Sequence, residues 1–427
     1  MKNFFDNKIF KFNKVCLAFM LILSMSVLTS CTSLKQAVTD FLNEDPPEER
    51  VVSSEEPESG EREDISEEAA AELAMKYISG LSLEEKVGQL FSVNLELLDN
   101  TKGSYYEHQK ITKAMKESLS KYHVGGVILF QRNINNRKQT SKLIRKLQKN
   151  SEIPLFIMVD EEGGAVARVG QNPDMGTTAF ESAEVIGRTE DPEYTKSMGS
   201  IIGSEISELG FNVDLAPVAD VNISELNTEI GNRSFGSDAE LVSEFVANFV
   251  EGIQSQNVSA CLKHFPGQGS SEGDTHNTNV DIDADIATLR ENDFVPFEKG
   301  IEAGADFMMV SHISVSKVTE TETPASLSKL IMTTIMREEL GFGGIIITDA
   351  FDMTSITELY SAGDAAITAI QAGADIVLMP EDLDEAYNAV LSAVNSGDID
   401  EARVDESVIR ILTRKFQRGI IATEPVE

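Results

Sequence analysis

Short apolar runs alternate with longer amphipathic stretches along the chain from residue 69 onward. Several of the short runs are almost entirely apolar, which is typical of parallel strands buried on both faces of a sheet. The pattern predicts eight strands, at residues 90–93, 124–130, 155–160, 211–215, 258–262, 307–311, 344–348 and 375–379. The stretches between them predict helices at residues 109–121, 137–149, 193–209, 239–254, 285–303, 328–339, 362–372 and 383–396, with a last helix at 405–418.

Eight strands that alternate with helices predict an α/β fold, either a (β/α)8 TIM barrel or an open doubly wound sheet. A barrel gathers reactive side chains from the ends of many strands, whereas an open sheet gathers them at one switch point. Charged or polar residues follow five of the predicted strands, namely Asp160, Asp220, the pair Lys263 and His264, His312, and Asp349. This distribution favours the TIM barrel.

The first 68 residues do not share this pattern. Residues 1–31 contain a lysine-rich start and an apolar run at 15–28, and they end in Leu-Thr-Ser-Cys, which resembles the lipobox of bacterial lipoproteins. We therefore predict a lipoprotein signal peptide over 1–31 with Cys31 as the lipidated residue, the alternative being an uncleaved anchor. Residues 32–68 are rich in Glu, Ser and Pro and predict an acidic disordered tether, which leaves 69–427 as the folded domain. Such a protein would be extracytoplasmic and lipid-anchored to the bacterial cell membrane.

Charge and cysteine content exclude several classes of protein. The formal net charge is -35, with 71 acidic against 36 basic residues, which argues against nucleic acid as a partner. The three cysteines include no CxxC pair and no disulfide framework. The glycine-rich segment 267–273 is not followed by Lys-Ser/Thr, so it is not a phosphate-binding P-loop, and no cofactor is expected.

The segment from Lys263 to Val280 concentrates groups that no packing rule requires. Asp274 and His276 lie two residues apart in it, and an Asp can orient an imidazole so that it donates and then accepts a proton. An Asx-turn or a metal pair are the alternatives, although no third and fourth ligand appear at a recognisable spacing. The glycines of this segment are expected to let the loop swing the Asp–His pair over a pocket.

Asp349 follows the seventh predicted strand and is placed to act as a nucleophile. The alternative is that it caps the next helix, but Asp352 is the better candidate for that cap. Arg233, Lys263 and His264 could donate hydrogen bonds to substrate hydroxyl groups, and Asp160 could accept two. Each of these residues could instead belong to a structural ion pair.

Four ordered segments together resemble glycoside hydrolase family 3, and within it the bacterial β-N-acetylglucosaminidases, over residues 81–421. The family's Asp-x-Glu-Gly-Gly…Arg segment is similar to residues 160–164 with Arg168, and its Arg-x-Phe-Gly turn is similar to residues 233–236. Its Lys-His-Phe-Pro-Gly-x-Gly…Asp-Ser/Thr-His loop is similar to residues 263–276. Its Ser/Thr-Asp segment is similar to residues 348–349, followed by Met353.

The resemblance implies a role for each matching residue. Asp349 would be the nucleophile, and His276, oriented by Asp274, would be the acid/base. The residues that would bind a terminal N-acetylglucosamine are Asp160, Arg168, Arg233, Lys263 and His264. Related β-glucosidases take their acid from a second domain, whereas here the loop pair is expected to supply it. The chain departs from the family pattern at Gln268, where His is usual, and at residues 270–271, where Asp-Thr is usual, which is expected to affect the loop's conformation and leaving-group preference.

Tryptophan is absent from the chain, whereas long polysaccharide grooves usually stack sugars on aromatic platforms. We therefore expect exo-action on one terminal sugar. Together with this, the resemblance implies a retaining exo-β-N-acetylhexosaminidase that removes terminal N-acetylglucosamine from carbohydrate substrates, either peptidoglycan fragments or chitin-type oligosaccharides. We further expect a monomer without a metal. The alternatives are a β-glucosidase or a phosphorylase of the same family, or an inactive sugar-binding lipoprotein.

Overall fold

The computed structural model describes residues 65–103, 105–224, 226–272 and 280–423. Eight short strands, all buried, follow one another along the chain and are all parallel. They are β1 Phe91–Val93, β2 Gly126–Ile128, β3 Phe156–Val159, β4 Val213–Asp214, β5 Ser259–Phe265, β6 Phe307–Val310, β7 Ile345–Thr348 and β8 Val377–Leu378. Each overlaps one of the eight strands predicted from the apolar runs.

The strands form a ring in which each one pairs with its neighbour along the chain. β1 also pairs with β8, with Phe91 opposite Val377. β7 meets β8 through a parallel bridge between Ile347 and Ile376, so the ring closes. The predicted (β/α)8 TIM barrel is confirmed, and the open doubly wound sheet is not formed.

Helices surround the barrel, and four of them have the predicted bounds. The helices of the described residues are Glu67–Ile78, Leu83–Gln89, Leu95–Leu98, Lys113–Tyr122, Arg137–Lys149, Ala183–Gly187, Pro192–Ser207, Ala239–Gln254, Ile286–Glu291, Val295–Glu302, Ser316–Thr319, Thr354–Thr357, Ala362–Ala372, Leu383–Ser396 and Glu401–Gln417, with a π-helix at Leu330–Glu339. Short 3-10 turns lie at Asn100–Lys102, Gln131–Asn133, Pro173–Met175, Gly231–Arg233 and Ala325–Leu327.

The helix predicted at 285–303 is two helices. The first ends at Glu291 and the second begins at Val295, with Pro296 in its first turn. Proline has no N–H to donate and its ring clashes with the preceding turn, so it fits the start of a helix and breaks the interior of one.

The N-terminal ends of the strands are filled by packed side chains. Phe156 of β3 and Phe307 of β6 meet edge to face with ring centroids 5.2 Å apart. Because β3 and β6 are not neighbours, this contact crosses the barrel interior. Lys415 from the last helix lies behind it, with Nζ 5.0 Å from the centroid of the Phe156 ring. A ligand can therefore enter the barrel only from the opposite end.

Buried ion pairs fasten the last helix to this closed end. Asp375, fully buried, pairs with Arg337 and with Arg410, whose Nη1 lies 3.1 Å from Oδ1. Asp306, also fully buried, pairs with Arg418 at 2.6 Å. Since these clusters precede strands β6 and β8, they serve the barrel's structure and lie far from its open end.

Residues 1–64 lie outside the described part of the chain, and with them the predicted signal peptide, Cys31 and most of the predicted tether. The helix Glu67–Ile78, capped by Ser66, begins two residues before the predicted start of the folded domain. No helix among the described residues is both long and apolar enough to cross a bilayer.

Candidate active site

A cavity of about 460 Å³ lies at the C-terminal ends of the strands. Seven of the eight strands contribute residues to it, either from their last positions or from the loop that follows. Six of the residues predicted for the site line it together, namely Asp160, Arg168, Arg233, Lys263, His264 and Asp349. The remaining two, Asp274 and His276, lie outside the described residues.

A cluster of opposite charges forms one wall of the cavity. Lys263 Nζ lies 2.6 Å from Glu162 Oε1 and 3.0 Å from Asp160 Oδ1. Arg233 holds Glu162 with two hydrogen bonds, from Nη2 to Oε1 at 2.8 Å and from Nε to Oε2 at 2.9 Å. Arg168 Nη2 lies 3.5 Å from the other oxygen of Asp160. The sequence left open whether these residues bind sugar or form structural ion pairs. The structure shows that the candidate sugar-binding residues do form ion pairs with one another while lining the cavity.

Burial and charge act in opposite directions on this cluster. Burial alone would raise the pKa of Glu162, but Arg233 and Lys263 outweigh it and hold the pKa well below its usual range. Burial likewise opposes ionisation of Asp160, yet Lys263 and Arg168 lower its pKa. Burial would lower the pKa of Lys263, but Glu162 and Asp160 raise it above its usual range. All three groups are therefore charged at neutral pH, and their geometry is fixed before a substrate arrives.

The predicted strand that ends at Leu262 in fact continues to Phe265. Its pairing register with β6 shifts between Leu262 and Phe265. In a regular strand successive side chains point to opposite faces. The shift interrupts this alternation, so that both Lys263 and His264 line the cavity.

His264 is oriented from behind by Asp220. Oδ2 of this fully buried carboxylate lies 2.7 Å from His264 Nδ1. Arg233 Nη2, a donor, lies 3.4 Å from the other ring nitrogen, Nε2. With a carboxylate at Nδ1 and a donor at Nε2, these contacts place a proton on Nδ1. The imidazole therefore lies between a carboxylate and a guanidinium at the cavity wall, and its role as a hydrogen-bond donor to substrate stays a prediction.

The hairpin after β3 explains why Asp160 and Glu162 face the cavity while Glu161 does not. Glu161–Gly163 pairs with Val166–Ala167 in antiparallel fashion, and alternate residues of a strand face opposite sides. The buried Glu161 carboxylate accepts the backbone N–H groups of Val169 and Gly170, each at 2.7 Å. Burial raises its pKa to about 7, against the effect of these hydrogen bonds. Glu161 thus shapes the loop that returns Arg168 to Asp160.

Asp349 lies directly after β7, at the mouth of the barrel. Its backbone N–H donates to Val310 O at 2.8 Å, which fixes it to the end of β6. Its Oδ1 accepts the backbone N–H of Ala350 at 2.7 Å. Oδ2 makes no hydrogen bond to the described residues, so one carboxylate oxygen is oriented and the other is available to a substrate.

Behind Asp349, the buried His312 holds the adjoining backbone. Its Nε2 lies 2.9 Å from Ala350 O, and its Nδ1 lies 2.8 Å from Ser326 Oγ. His312 follows β6, as predicted, but it does not line the cavity. Its contacts make it a positioning residue for the turn that carries Asp349.

The helix cap expected at Asp352 is not formed. The helix Thr354–Thr357 has Met353 as its N-cap residue, with no side-chain hydrogen bond. Asp352 is exposed and lines the cavity instead. Its carboxylate lies too early in the chain for the N-cap position, where the side-chain oxygen must reach the second or third helical N–H.

The segment that leads toward Asp274 and His276 is tightly held as far as it is described. Gln268 is fully buried, and its backbone N–H donates to Asp220 Oδ1 at 2.6 Å. A Cβ on Gly269 would lie 2.0 Å from the carbonyl oxygen of Val221. Gly269 therefore permits a close approach of two backbones, whereas the predicted swing of the loop stays a prediction.

Three residues of the site, Glu162, Asp220 and His312, were assigned no role by the sequence prediction. Glu162 had a usable signal, since it lies two residues after Asp160 and so on the same side of an extended segment. Asp220 and His312 carry no local signal of their partners, because they lie in the loops after β4 and β6 and contact His264 in β5 and Ala350 after β7.

Comparison with known proteins places the chain in a family. The glycosyl hydrolase family 3 N-terminal domain matches over residues 82–414. The chain belongs to glycosyl hydrolase family 3. The described parts of the four sequence segments that suggested this family all contribute residues to the same cavity.

Individual relatives agree with the family assignment. The chain is 34% identical over 329 residues to Beta-hexosaminidase A of Pseudoalteromonas piscicida, covering 70% of this chain and 54% of that protein. It is 35% identical over 293 residues to the Beta-hexosaminidase of Stenotrophomonas maltophilia (strain K279a), covering 66% of this chain and 84% of that protein. The structure of a glycoside hydrolase family 3 β-N-acetylglucosaminidase from Paenibacillus sp. str. FPU-7 has a TM-score of 0.75 at 34% identity, covering 82% of this chain and 65% of that one. The chain thus spans about half the length of the Pseudoalteromonas relative.

Proposed function

We propose that this protein is a retaining, exo-acting β-N-acetylhexosaminidase that releases terminal N-acetylglucosamine. The observation that carries the proposal is the position of Asp349 in the same cavity as the cluster of Asp160, Glu162, Lys263 and Arg233. One carboxylate is available for bond formation, and the facing wall holds fixed donors and acceptors for hydroxyl groups. The family membership and the names of the relatives support the same reading.

The reaction would proceed through a covalent intermediate. Asp349 Oδ2 attacks the anomeric carbon while a proton passes to the glycosidic oxygen, so that the aglycone leaves as an alcohol. Water then attacks the same carbon from the side that the aglycone left, gives up a proton, and releases Asp349 as a carboxylate. Two inversions retain the β configuration. The resemblance assigns the proton transfers to His276, oriented by Asp274.

The cavity's size and walls support action at a chain end. About 460 Å³ lies toward the lower end of the range for ligand pockets. Asp160 and Lys263 would hold the terminal sugar by its hydroxyl groups, since each keeps unused hydrogen-bonding capacity after pairing with the other. Peptidoglycan fragments and chitin-type oligosaccharides are the proposed substrate classes.

The test is Asp349→Asn, compared with Asp352→Asn, which changes a second carboxylate of the same cavity. With p-nitrophenyl N-acetyl-β-glucosaminide, Asp349→Asn is expected to lower kcat by about 1,000-fold or more because no acylal bond forms. Asp352→Asn is expected to stay within about tenfold of the wild type. Equal activity of the wild type and Asp349→Asn would overturn the proposal. Assays with and without phosphate separate hydrolysis from phosphorolysis, since only the latter releases a sugar 1-phosphate.

We also propose that the protein is tethered outside the cytoplasmic membrane through a lipid on Cys31. The support is the charge, apolar length and Leu-Thr-Ser-Cys ending of residues 1–31. Cys31→Ser is expected to abolish labelling of the full chain by a radioactive fatty acid in bacteria that express it. Unchanged labelling of Cys31→Ser would refute the anchor.

A further inference from the structure

At the closed end of the barrel, three side chains from separate segments come together around one point. Glu85 lies on the helix Leu83–Gln89 before β1, His123 ends the helix Lys113–Tyr122 before β2, and Glu152 lies in the loop before β3. One ligand atom from each lies within 4.8 Å of the other two. The proposed catalysis uses none of them, because the active-site cavity lies at the other ends of the same strands.

We propose that Glu85, His123 and Glu152 bind a divalent transition-metal ion, with zinc as the preferred ion. Imidazole with carboxylates is a donor set that suits zinc, whereas calcium and magnesium prefer oxygen ligands alone. Three protein ligands leave one position for water. The site would be structural, joining the segments that lead into the first three strands.

The imidazole is the observation that distinguishes this cluster from a chance group of acidic residues. His123 Nδ1 is inaccessible to solvent and has no hydrogen-bond partner among the described residues. It lies 3.5 Å from Glu152 Oε2, but the pair does not meet hydrogen-bond geometry. Zinc–ligand bonds of about 2.0–2.2 Å at tetrahedral angles place neighbouring ligand atoms about 3.3–3.5 Å apart. The separation therefore fits two ligands of one ion, and the ion would satisfy a buried nitrogen that otherwise lacks a partner.

Two of the three ligands are held on a rigid frame. The backbones of Gly88 and His123 touch, since a Cβ on Gly88 would lie 2.6 Å from His123 O. Gln89 Nε2 also donates to His123 O at 2.7 Å. Glu85, one turn earlier on the same helix, accepts the backbone N–H of Ser82 on Oε2 at 2.7 Å, which leaves Oε1 for a metal. Hydrogen-bonded carboxylates of this kind are typical of metal ligands.

Glu152 is the adjustable ligand. Its side chain is 63% exposed, compared with 16% for His123. Its loop is short and tied back, because Ser151 Oγ donates to Ile153 O at 2.7 Å. A small rotation of an exposed carboxylate is enough to complete the site, so metal binding needs no change in the barrel.

The test uses variants that keep the local backbone and remove only the ligand. Glu85→Gln preserves the capping box, in which Gln serves as well as Glu. His123→Asn suits the left-handed conformation at this position, where φ is 47°. Glu152→Gln changes an exposed side chain. Glu117→Gln, on an exposed surface of the helix Lys113–Tyr122, is the matched control.

The purified full chain is treated with a chelator, dialysed and titrated with zinc chloride by calorimetry, with thermal unfolding followed in parallel. We expect one zinc ion per chain that is lost, or bound at least about tenfold more weakly, in each ligand variant and unchanged in the control. Zinc is expected to raise the Tm of the wild type by a few degrees and that of His123→Asn by less than one, because an ion that binds only the folded state stabilises it. Zinc binding that none of the three substitutions weakens, or no binding at millimolar zinc, would overturn the proposal.

Discussion

Glu162 is the carboxylate on which two cations of the active-site wall converge, and its replacement by Gln gives the most informative perturbation. Lys263 Nζ lies 2.6 Å from Oε1, and Arg233 makes two hydrogen bonds with the carboxylate. Gln preserves the volume and shape of Glu but removes the charge and presents an NH₂ group toward one of the cations. Both cations then lose their shared anionic partner.

The size of the expected loss of stability follows from the burial of the two charged side chains. The side chains of Glu162 and Lys263 are 5% and 3% exposed, so neither charge can turn to solvent. Removing one member of a buried pair costs about 3–5 kcal/mol of unfolding free energy, because the other charge remains buried without a partner. Removing Arg233 as well removes the cation that Glu162→Gln leaves without its carboxylate, while Lys263 keeps Asp160 at 3.0 Å. We therefore expect the double substitution to cost less than the sum of the single ones, with a coupling of about 2 kcal/mol.

The assay is a double-mutant cycle of Glu162→Gln and Arg233→Gln, with unfolding free energies measured in urea at pH 7. The matched control is the exposed pair of Glu184 and Arg188, whose side chains are 43% and 71% exposed. Its coupling is expected to lie below about 0.5 kcal/mol, as for other exposed pairs. If the coupling free energy of Glu162 and Arg233 is no larger than that of the control pair, the interpretation of this cluster as a fixed, buried charge network is wrong.

Three further predictions concern the groups around the site. Burial raises the pKa of Asp293 from 3.8 to about 7, so the contribution of its protonated form to stability is present below pH 4 and is lost as the pH rises to 7. Between pH 4 and pH 8, the unfolding free energy of Asp293→Asn should therefore gain about 4 kcal/mol relative to the wild type. An equal difference between the two proteins at both pH values would refute this. His312→Ala removes the hydrogen bond to Ala350 O behind Asp349 and should lower kcat by about tenfold while changing KM little. An unchanged kcat would contradict the positioning role. Gly269→Ala should destabilise the protein by about 1–3 kcal/mol, whereas Gly343→Ala, where a Cβ meets nothing within 4 Å, should stay within about 1 kcal/mol in the same thermal scan.

The barrel could be predicted because it rests on local patterns. Parallel strands buried on both faces leave continuous apolar runs, and all eight were visible in the sequence. The end of β5 was misplaced because Lys263 and His264 are polar, and polar residues after an apolar run indicate a loop. They remain in the strand because Glu162, from the hairpin after β3, neutralises Lys263, and Asp220, from the loop after β4, orients His264. No single-sequence pattern records those partners.

Those active-site residues that directly follow a strand could be predicted, because the ends of strands could be predicted from the apolar runs. Asp160 and Asp349 follow apolar runs, so the topology of a barrel brings them together without knowledge of side-chain contacts. The functions of Asp220 and His312 depend on hydrogen bonds between segments that are distant in sequence, which arise only in the folded chain. The proposed metal site was hidden for the same reason, because its three ligands come from three segments with no motif spacing.

The charge balance of the cavity argues for water as the acceptor rather than phosphate. Among the described residues that line it, five carboxylates face four cationic side chains, namely Asp160, Glu162, Glu229, Asp349 and Asp352 against Arg132, Arg168, Arg233 and Lys263. Lys263 and Arg233 already share Glu162, so neither is a free counter-charge for an anion. A phosphate dianion would enter a site without excess positive charge and would lose its hydration there, which is costly for an uncompensated anion. A neutral sugar and a water molecule carry no such cost, and they use the same side chains as hydrogen-bond donors and acceptors. A cavity in which every strong cation is matched by a carboxylate is therefore suited to glycoside hydrolysis.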